Sequence, residues 1–168
     1  MRSIAILLFL YAGLDFALAG ELAAIRPADT WRSQHLIIDL HQHIDCTTQR
    51  LARAVKIMDA SGVGLGVNLT AGTVTPGPNG AISEFEQNKK VADTLFPGRF
   101  LQYVNLDYSE WDKPDFAARA VKQIEEGHRL GAAGFKEWKR LGLYLRDGRG
   151  RLLKIDDRKL LKPFLKPK

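Results

Sequence analysis

Apolar and polar positions alternate along the chain in a way that predicts strands and helices in turn. Runs typical of strands begin near residues 36, 64, 100 and 134, and apolar residues at helical spacing follow each of the first three. Repeats of roughly 30 residues of strand plus helix are the unit of parallel α/β folds. Two closures fit this pattern, a doubly wound sheet and a (β/α)8 barrel. No glycine-rich phosphate loop follows the first strand, which weakens a nucleotide-binding sheet.

Local signals predict where the helices begin and end. Thr47 and Thr48 are candidate N-caps of the first helix, and Gly62 is a candidate stop. Ser83, followed three residues later by Glu86, forms a capping box that opens the second helix.

The first strand ends in residues that could bind a metal. Leu36 to Ile38 is a continuous apolar run, as expected of a strand covered on both faces, and it opens into Asp39, His41 and His43. Because side chains alternate along a strand, these three are expected on one face. Two imidazoles two positions apart can converge on one cation; the alternative is a strand end with two solvated histidines. Barrel enzymes keep their chemistry at this edge, where later strands end in further polar residues: Asn68, Asn105, Asp107 and Lys136.

Composition narrows the class of protein. The length of 168 residues suits one domain, and 45% hydrophobic with 26% charged residues indicates a globular chain. The net charge is +6, but residues 151–168 hold seven Lys or Arg and two Asp. The body is therefore close to neutral, and no nucleic-acid-binding face is predicted. Cys46 is the single cysteine, which excludes an intramolecular disulfide and leaves a small buried residue, a nucleophile or a third ligand.

The N-terminus resembles an export signal. Ile4 to Ala12 is an apolar run too short to span a bilayer comfortably, and Ala17 to Ala19 has the small-x-small form of a cleavage site. Residues 1–19 are therefore predicted to be a signal peptide, with an uncleaved anchor or a buried helix as the alternatives. Residues 20–34 are interpreted as a linker. We expect a periplasmic or secreted protein with no stable membrane span after cleavage.

The C-terminal part departs from the strand–helix rhythm. Asp147–Gly148 lies between alternating segments and predicts a β-hairpin inserted after the fourth strand, over the mouth of the site. Residues 158–168 carry two prolines and five Lys or Arg, and they are predicted to be a disordered basic tail. The folded domain is thus expected at residues 35–157.

Two segments together resemble the amidohydrolase superfamily, and more closely the amidohydrolase-related metal-dependent hydrolases of the "amidohydrolase 2" type. They are Ile38–His43, which reads Ile-Asp-Leu-His-Gln-His, and Gly134–Tyr144, and the resemblance covers roughly residues 35–157. It implies a TIM (β/α)8 barrel, of which this chain would supply the N-terminal half, about four βα units. It also implies hydrolysis of a C–N or C–O bond in a small-molecule substrate by a metal-activated water.

The resemblance assigns roles to individual residues. It makes His41 and His43 ligands of a divalent metal, for which zinc is expected. Lys136 occupies a place compatible with a carboxylated bridging lysine; the alternative is a substrate-binding or structural lysine. Asp39 is expected to support the histidine pair from the second shell, since liganding imidazoles usually donate their other N–H to an oxygen.

Asn105 and Trp138 are expected to contact the substrate. The family's later metal ligands and its catalytic aspartate have no counterpart here, and a truncated or frameshifted reading frame is the expectation that explains this most simply. We therefore expect weak metal binding and little turnover. The alternative is a non-catalytic exported half-barrel that assembles with itself or a partner chain through its exposed strand edges.

Overall fold

The computed structural model describes residues 27–137 and 139–165. The strands are β1 (Ile37–Gln42), β2 (Val63–Asn68), β3 (Phe100–Val104) and β4 (Gly134–Phe135), and the helices are α1 (Thr48–Ser61), α2 (Glu84–Leu95), α3 (Phe116–Arg129) and α4 (Arg158–Leu165). All four strands are parallel and stand in the order β1-β2-β3-β4, in a sheet that curls like half of a barrel. The predicted α/β class and the succession of parallel strands are confirmed.

The predicted helix caps are present. The side chain of Thr47 accepts a hydrogen bond from the backbone N–H of Arg50 at 3.3 Å, and that of Ser83 accepts one from Glu86 at 3.2 Å. Gly62 ends α1 with φ of 75°, a left-handed conformation that favours glycine. These signals are local, so the sequence alone was enough to place them.

The helices cover one face of the sheet. Alternate residues of β3, namely Phe100, Gln102 and Val104, are buried on that face. Phe100 belongs to a cluster with Leu51 of α1, and Val104 to a cluster with Phe85 of α2. The main core therefore lies between the sheet and the helices.

The opposite, concave face is apolar and only partly covered within the described part of the chain: Val67, which pairs with Leu101, is buried, but several neighbours are exposed. Ile38 is 54% exposed, Leu40 71% and Leu101 39%. The register pairs Ile38 with Leu65, and Leu101 with Val67 two residues further along β2, so Ile38 and Leu101 share a face. Leu40 lies in the part of β1 where the register shifts. The expectation that the run from Leu36 is covered on both faces is wrong, because Leu36 is exposed as well and β1 is an edge strand of the described sheet.

The segment after β4 forms a tight turn. Arg146 and Leu152 make an isolated antiparallel bridge, and the N–H of Asp147 donates to the carbonyl of Arg151 at 2.9 Å. The N–H of Leu153 also donates to the carbonyl of Leu145 at 2.8 Å, so the chain folds back on itself at Asp147–Gly148 as predicted, although no regular pair of strands forms among the described residues here.

The basic tail was expected to be disordered, and this is wrong for its first residues. Residues 158–165 are helical, and Leu160 is 1% exposed in a cluster with Trp111 and Phe116. Lys159 Nζ donates to the carbonyl of Trp111 at 2.7 Å. The high charge of the segment hid a helix in which Leu160 is buried while Arg158 is exposed.

The N-terminal expectations lie mostly outside the described residues. This applies to the whole of the predicted signal peptide, residues 1–19. Residues 27–33, within the predicted linker, are helical. Among the described helices, none has the length and apolar character needed to cross a membrane.

Candidate functional site

The structure brings the two predicted imidazoles together at the end of β1. His41 Nε2 and His43 Nε2 lie 3.0 Å apart, with ring centroids 5.0 Å apart and the rings tilted by 59°. Two nitrogens bound at 2.0–2.1 Å to one tetrahedral zinc ion are separated by about 3.3 Å. The observed separation differs by only a few tenths of an ångström from that of two ligands of one cation, and it equally suits a hydrogen bond from one ring to the other.

An irregularity in β1 shapes this strand end. The register shifts between Asp39 and Gln42, and the side chain of Gln42 lies over Gly66, where a Cβ atom would come within 2.1 Å of its Oε1. Asp39 accepts hydrogen bonds from the backbone N–H of His41 at 3.0 Å and from Gln42 Nε2 at 3.1 Å. Asp39 thus orders the backbone that carries His41, and its role in supporting metal-bound imidazoles stays a prediction.

Lys136 stands near the histidine pair, at the end of β4. Its backbone N–H donates to the carbonyl of Val104 at 2.9 Å, which extends the β3–β4 pairing. Partial burial and the positive charges of His41, Lys136 and Lys139 hold the pKa of His43 below its ordinary value. A neutral imidazole at physiological pH keeps the lone pair that a metal requires.

Asn105 ties the strand ends together. Its Nδ2 donates to the carbonyls of Leu69 at 3.1 Å and Lys136 at 2.9 Å, and its Oδ1 accepts from the N–H of Gly72 at 3.2 Å. Asn105 thus positions the edge of the site and also lines the cavity described below, so its contact with a substrate stays a prediction. Trp138, the other predicted substrate contact, lies outside the described residues.

A buried polar network lies beneath this edge. Asn68 Nδ2 donates to Gln102 Oε1 at 3.0 Å and to the carbonyl of Ile44 at 2.9 Å, and its Oδ1 accepts from the N–H of Ile44 at 3.1 Å. Cys46 Sγ accepts a weak contact from Asn68 Nδ2 at 3.5 Å. Burial raises the pKa of the Cys46 thiol to about 11. A thiol that keeps its proton at neutral pH is neither a nucleophile nor a ready metal ligand, so the small buried residue is the better interpretation.

A cavity of about 640 Å³ opens next to His43 at the same edge. The hydroxyl of Tyr108 donates to the carboxylate of Glu137 in its wall. Burial and this contact raise the pKa of Tyr108, so it is a neutral donor. Most of the charged residues of the wall could not be predicted from the sequence, because they do not stand in a pattern typical of a strand end. The charged residues of the wall are Asp45, Glu84, Asp107, Glu137, Arg140 and Arg146.

The carboxylate of Asp107 is held in this wall by a hydrogen bond to each of its oxygens. Its Oδ2 accepts from Thr75 Oγ1 at 2.7 Å and its Oδ1 from the N–H of Ser109 at 2.8 Å. Burial alone would raise its pKa, but these hydrogen bonds outweigh burial and lower it. Asp107 is therefore an ionised acceptor inside the cavity.

The described residues hold a histidine pair but no larger ligand cluster. In residues 27–137 and 139–165, no group of three or more His, Cys, Asp or Glu side chains is placed to hold a metal ion. Comparisons with protein-family models, with curated proteins and with solved structures found no match. Fold and site thus define an α/β protein whose curled four-stranded parallel sheet presents two imidazoles beside a cavity.

Proposed function

We propose that this chain carries the histidine pair of a metal-dependent hydrolase of the amidohydrolase type, on the N-terminal half of a (β/α)8 barrel. The supporting observation is the 3.0 Å approach of His41 Nε2 and His43 Nε2 at the end of β1, beside a cavity of about 640 Å³. A cavity of this size suits a small-molecule substrate. The resemblance of the segments Ile38–His43 and Gly134–Tyr144 supports the same assignment.

The residues present fit a divalent metal in part. Neutral imidazole is a preferred zinc ligand, and the lowered pKa of His43 keeps that ring neutral at physiological pH. Catalytic zinc sites use about three protein ligands, so His41 and His43 would need at least one more. When bound, the ion would polarise the scissile carbonyl and lower the pKa of a water molecule.

Other side chains would support the pair and the substrate. Asp39 holds the backbone at His41 through a 3.0 Å hydrogen bond. Lys136 would either bridge metal ions after carboxylation or bind an anionic group of the substrate. Asp107 offers an ionised acceptor in the cavity wall, and Tyr108 a neutral hydroxyl that Glu137 orients.

Zinc titration of the whole chain by calorimetry tests the proposal. We expect weak binding, because two imidazoles leave zinc under-coordinated, and no more than slow hydrolysis of amide, ester or lactone substrates. His41→Asn and His43→Asn are each expected to lower the affinity about tenfold or more. His128→Asn is the matched control, since His128 is an exposed histidine in the last turn of α3, and it is expected to leave the affinity unchanged. Equal zinc affinity in all three variants and the parent chain would contradict the proposal.

We also propose that the chain is exported, on the basis of the apolar run Ile4–Ala12 and the small residues Ala17 and Ala19. Expression with an intact N-terminus in a bacterial host, followed by mass determination of the periplasmic fraction, tests this. A product that begins at Gly20 supports export. An intact chain confined to the cytoplasmic fraction contradicts it.

A further inference from the structure

We propose that the cavity beside the histidine pair binds a small zwitterion of the size of a dipeptide, with its ammonium group against Glu84 and Asp107 and its carboxylate against Arg146. This ligand class rests on the proposed function, because it takes the cavity of about 640 Å³ as the place where the substrate binds. The supporting observation is that the charged side chains of the wall are separated by sign.

Glu84 gives the cavity an acidic side next to β2. It is the first residue of α2, and the N–H of Phe85 donates to the carbonyl of Thr73 at 3.1 Å, which holds the start of the helix against the segment after β2. Gly72 makes room for the Glu84 side chain, since a Cβ atom there would lie 2.6 Å from its Cδ. Among the described residues, no hydrogen bond or ion pair occupies the Glu84 carboxylate. It can therefore accept a hydrogen bond from an ammonium group.

Asp107 adds a second carboxylate to the same side. It follows β3, but its Oδ2 accepts from the hydroxyl of Thr75, in the segment after β2, at 2.7 Å. Its Oδ1 accepts from the backbone N–H of Ser109 at 2.8 Å. Both donors are neutral, so they leave the negative charge in place. An ionised carboxylate has about four acceptor positions, so a bound ammonium group can share it.

Arg140 and Arg146 line the cavity on the side of β4. Nη1 of Arg146 donates to the carbonyl of Gly150 at 2.9 Å, within the turn that follows β4. A guanidinium group has five N–H donors, and its planar edge matches a carboxylate. Within residues 27–137 and 139–165, Arg146 forms no ion pair with an acidic side chain. Its charge is therefore available to an anionic group of a ligand.

The two other carboxylates of the wall have partners. Asp45 pairs with Arg50 at 3.1 Å, and Glu137 accepts a hydrogen bond from the hydroxyl of Tyr108. A ligand with an anionic group alone would leave the acidic side without a partner, and a ligand with a cationic group alone would leave the basic side without one. A zwitterion satisfies both.

The strand order sets the distance between the two sides. β3 lies between β2 and β4, so the acidic and basic sides flank the end of β3. Two strand spacings separate β2 from β4 by about 10 Å. An extended dipeptide is about 7 Å long, and a charge-assisted hydrogen bond of about 2.8 Å at each end gives a comparable span. A single amino acid carries both charges on one Cα atom, so it is too short to reach both sides.

Calorimetric titration of the whole chain with alanyl-alanine, at neutral pH and with a chelator present, tests the ligand class without a metal. N-acetyl-alanyl-alanine lacks the ammonium group, and alanyl-alanine amide lacks the carboxylate. Each is expected to bind at least about tenfold more weakly than alanyl-alanine, because one side of the cavity loses its partner. No binding of alanyl-alanine, or equal binding of the three compounds, would overturn the inference.

Variants of the two sides show which charge each compound meets. Glu84→Gln is expected to weaken alanyl-alanine about tenfold and to leave the N-acetyl compound unchanged, whereas Arg146→Gln is expected to weaken alanyl-alanine equally and to leave the amide unchanged. Glu86→Gln in the same turn of α2, and Arg149→Gln in the turn of Arg146, are matched controls outside the cavity wall and are expected to keep the parent affinity. Equal losses for all three compounds in a folded Glu84→Gln or Arg146→Gln variant would overturn the assignment.

Circular dichroism of each variant shows whether it folds, and the three compounds still decide on the parent chain if a variant does not. Zinc titration separates this inference from the proposed function. A chain that binds zinc through its histidines but binds no alanyl-alanine would sustain the proposed function and overturn the ligand class. A chain that binds alanyl-alanine with the expected preference but binds no zinc would sustain the ligand class and remove the proposed function.

Discussion

The two faces of the same sheet differ sharply in what covers them. On the helical side, Phe100 and Val104 are buried with residues of α1 and α2, and even the polar Gln102 is enclosed. On the concave side, Ile38 and Leu101 are equally apolar but exposed. An apolar pattern therefore identifies a strand without showing whether its second face is covered, because the covering elements come from elsewhere in the fold or from another chain.

The largest expected effect is on the helical side. Phe85 is fully buried in α2, so Phe85→Ala is expected to lower the free energy of unfolding by about 3–5 kcal/mol in urea denaturation. Leu95→Ala changes an exposed residue of the same helix and is expected to cost less than about 1 kcal/mol. Similar losses for the two variants would show that the helical face is not the main core.

The buried polar network comes next. Asn68→Leu would leave the peptide groups of Ile44 and the amide oxygen of Gln102 without their partner, at a cost of about 2–4 kcal/mol in the same assay. Asn88→Leu removes one hydrogen bond, to the carbonyl of Ala71, from a half-buried site and is expected to cost about 1 kcal/mol. A stable Asn68→Leu variant would mean that the network does not hold the strand ends.

The thiol of Cys46 gives the helical side a pH dependence. Burial raises its pKa from 9.0 to about 11, so the folded state keeps this proton while the unfolded chain loses it. The contribution of the neutral thiol to the free energy of unfolding is fully present below about pH 8.5. It is lost as the pH rises toward 11. Near pH 10.5 the parent chain is expected to lose about 1–2 kcal/mol more than Cys46→Ala, relative to pH 8. Parallel stability profiles for the two proteins would contradict this burial.

The smallest expected effect lies at the mouth of the sheet. Lys136→Met removes one of the positive charges that lower the pKa of His43, so that pKa is expected to rise. Nuclear magnetic resonance titration of the His43 imidazole measures it. Lys122→Met, at an exposed position of α3, is the control and is expected to leave the pKa of His43 where it is. An unchanged value in Lys136→Met would place Lys136 too far away for the role proposed above.

Locally encoded features could be predicted from the sequence. Thr47 and Ser83 cap their helices because a hydroxyl needs only the N–H three residues ahead. The approach of His41 to His43 was predicted from their spacing, although the structure also has a register shift in β1 beside them. The fold class followed from the repeated strand–helix rhythm.

Features that depend on distant contacts could not be predicted. The residue type of Asn105 does not show that its amide bonds to the backbone just after β4 and in the segment after β2. Leu160 is buried only because α4 meets the cluster around Trp111 and Phe116. Gln102 stands at the period-two position between Phe100 and Val104, a pattern that indicates a buried polar residue that needs a partner.

The most direct test of the central claim is zinc-edge X-ray absorption on the zinc-loaded chain. The proposed function predicts first-shell nitrogen at about 2.0–2.1 Å with the outer-shell scattering of at least two imidazole rings. It predicts that this scattering disappears in the His41→Asn/His43→Asn double variant. A shell of oxygen alone in the parent chain, or the same imidazole scattering in the double variant, would contradict the claim that these two histidines form a metal site.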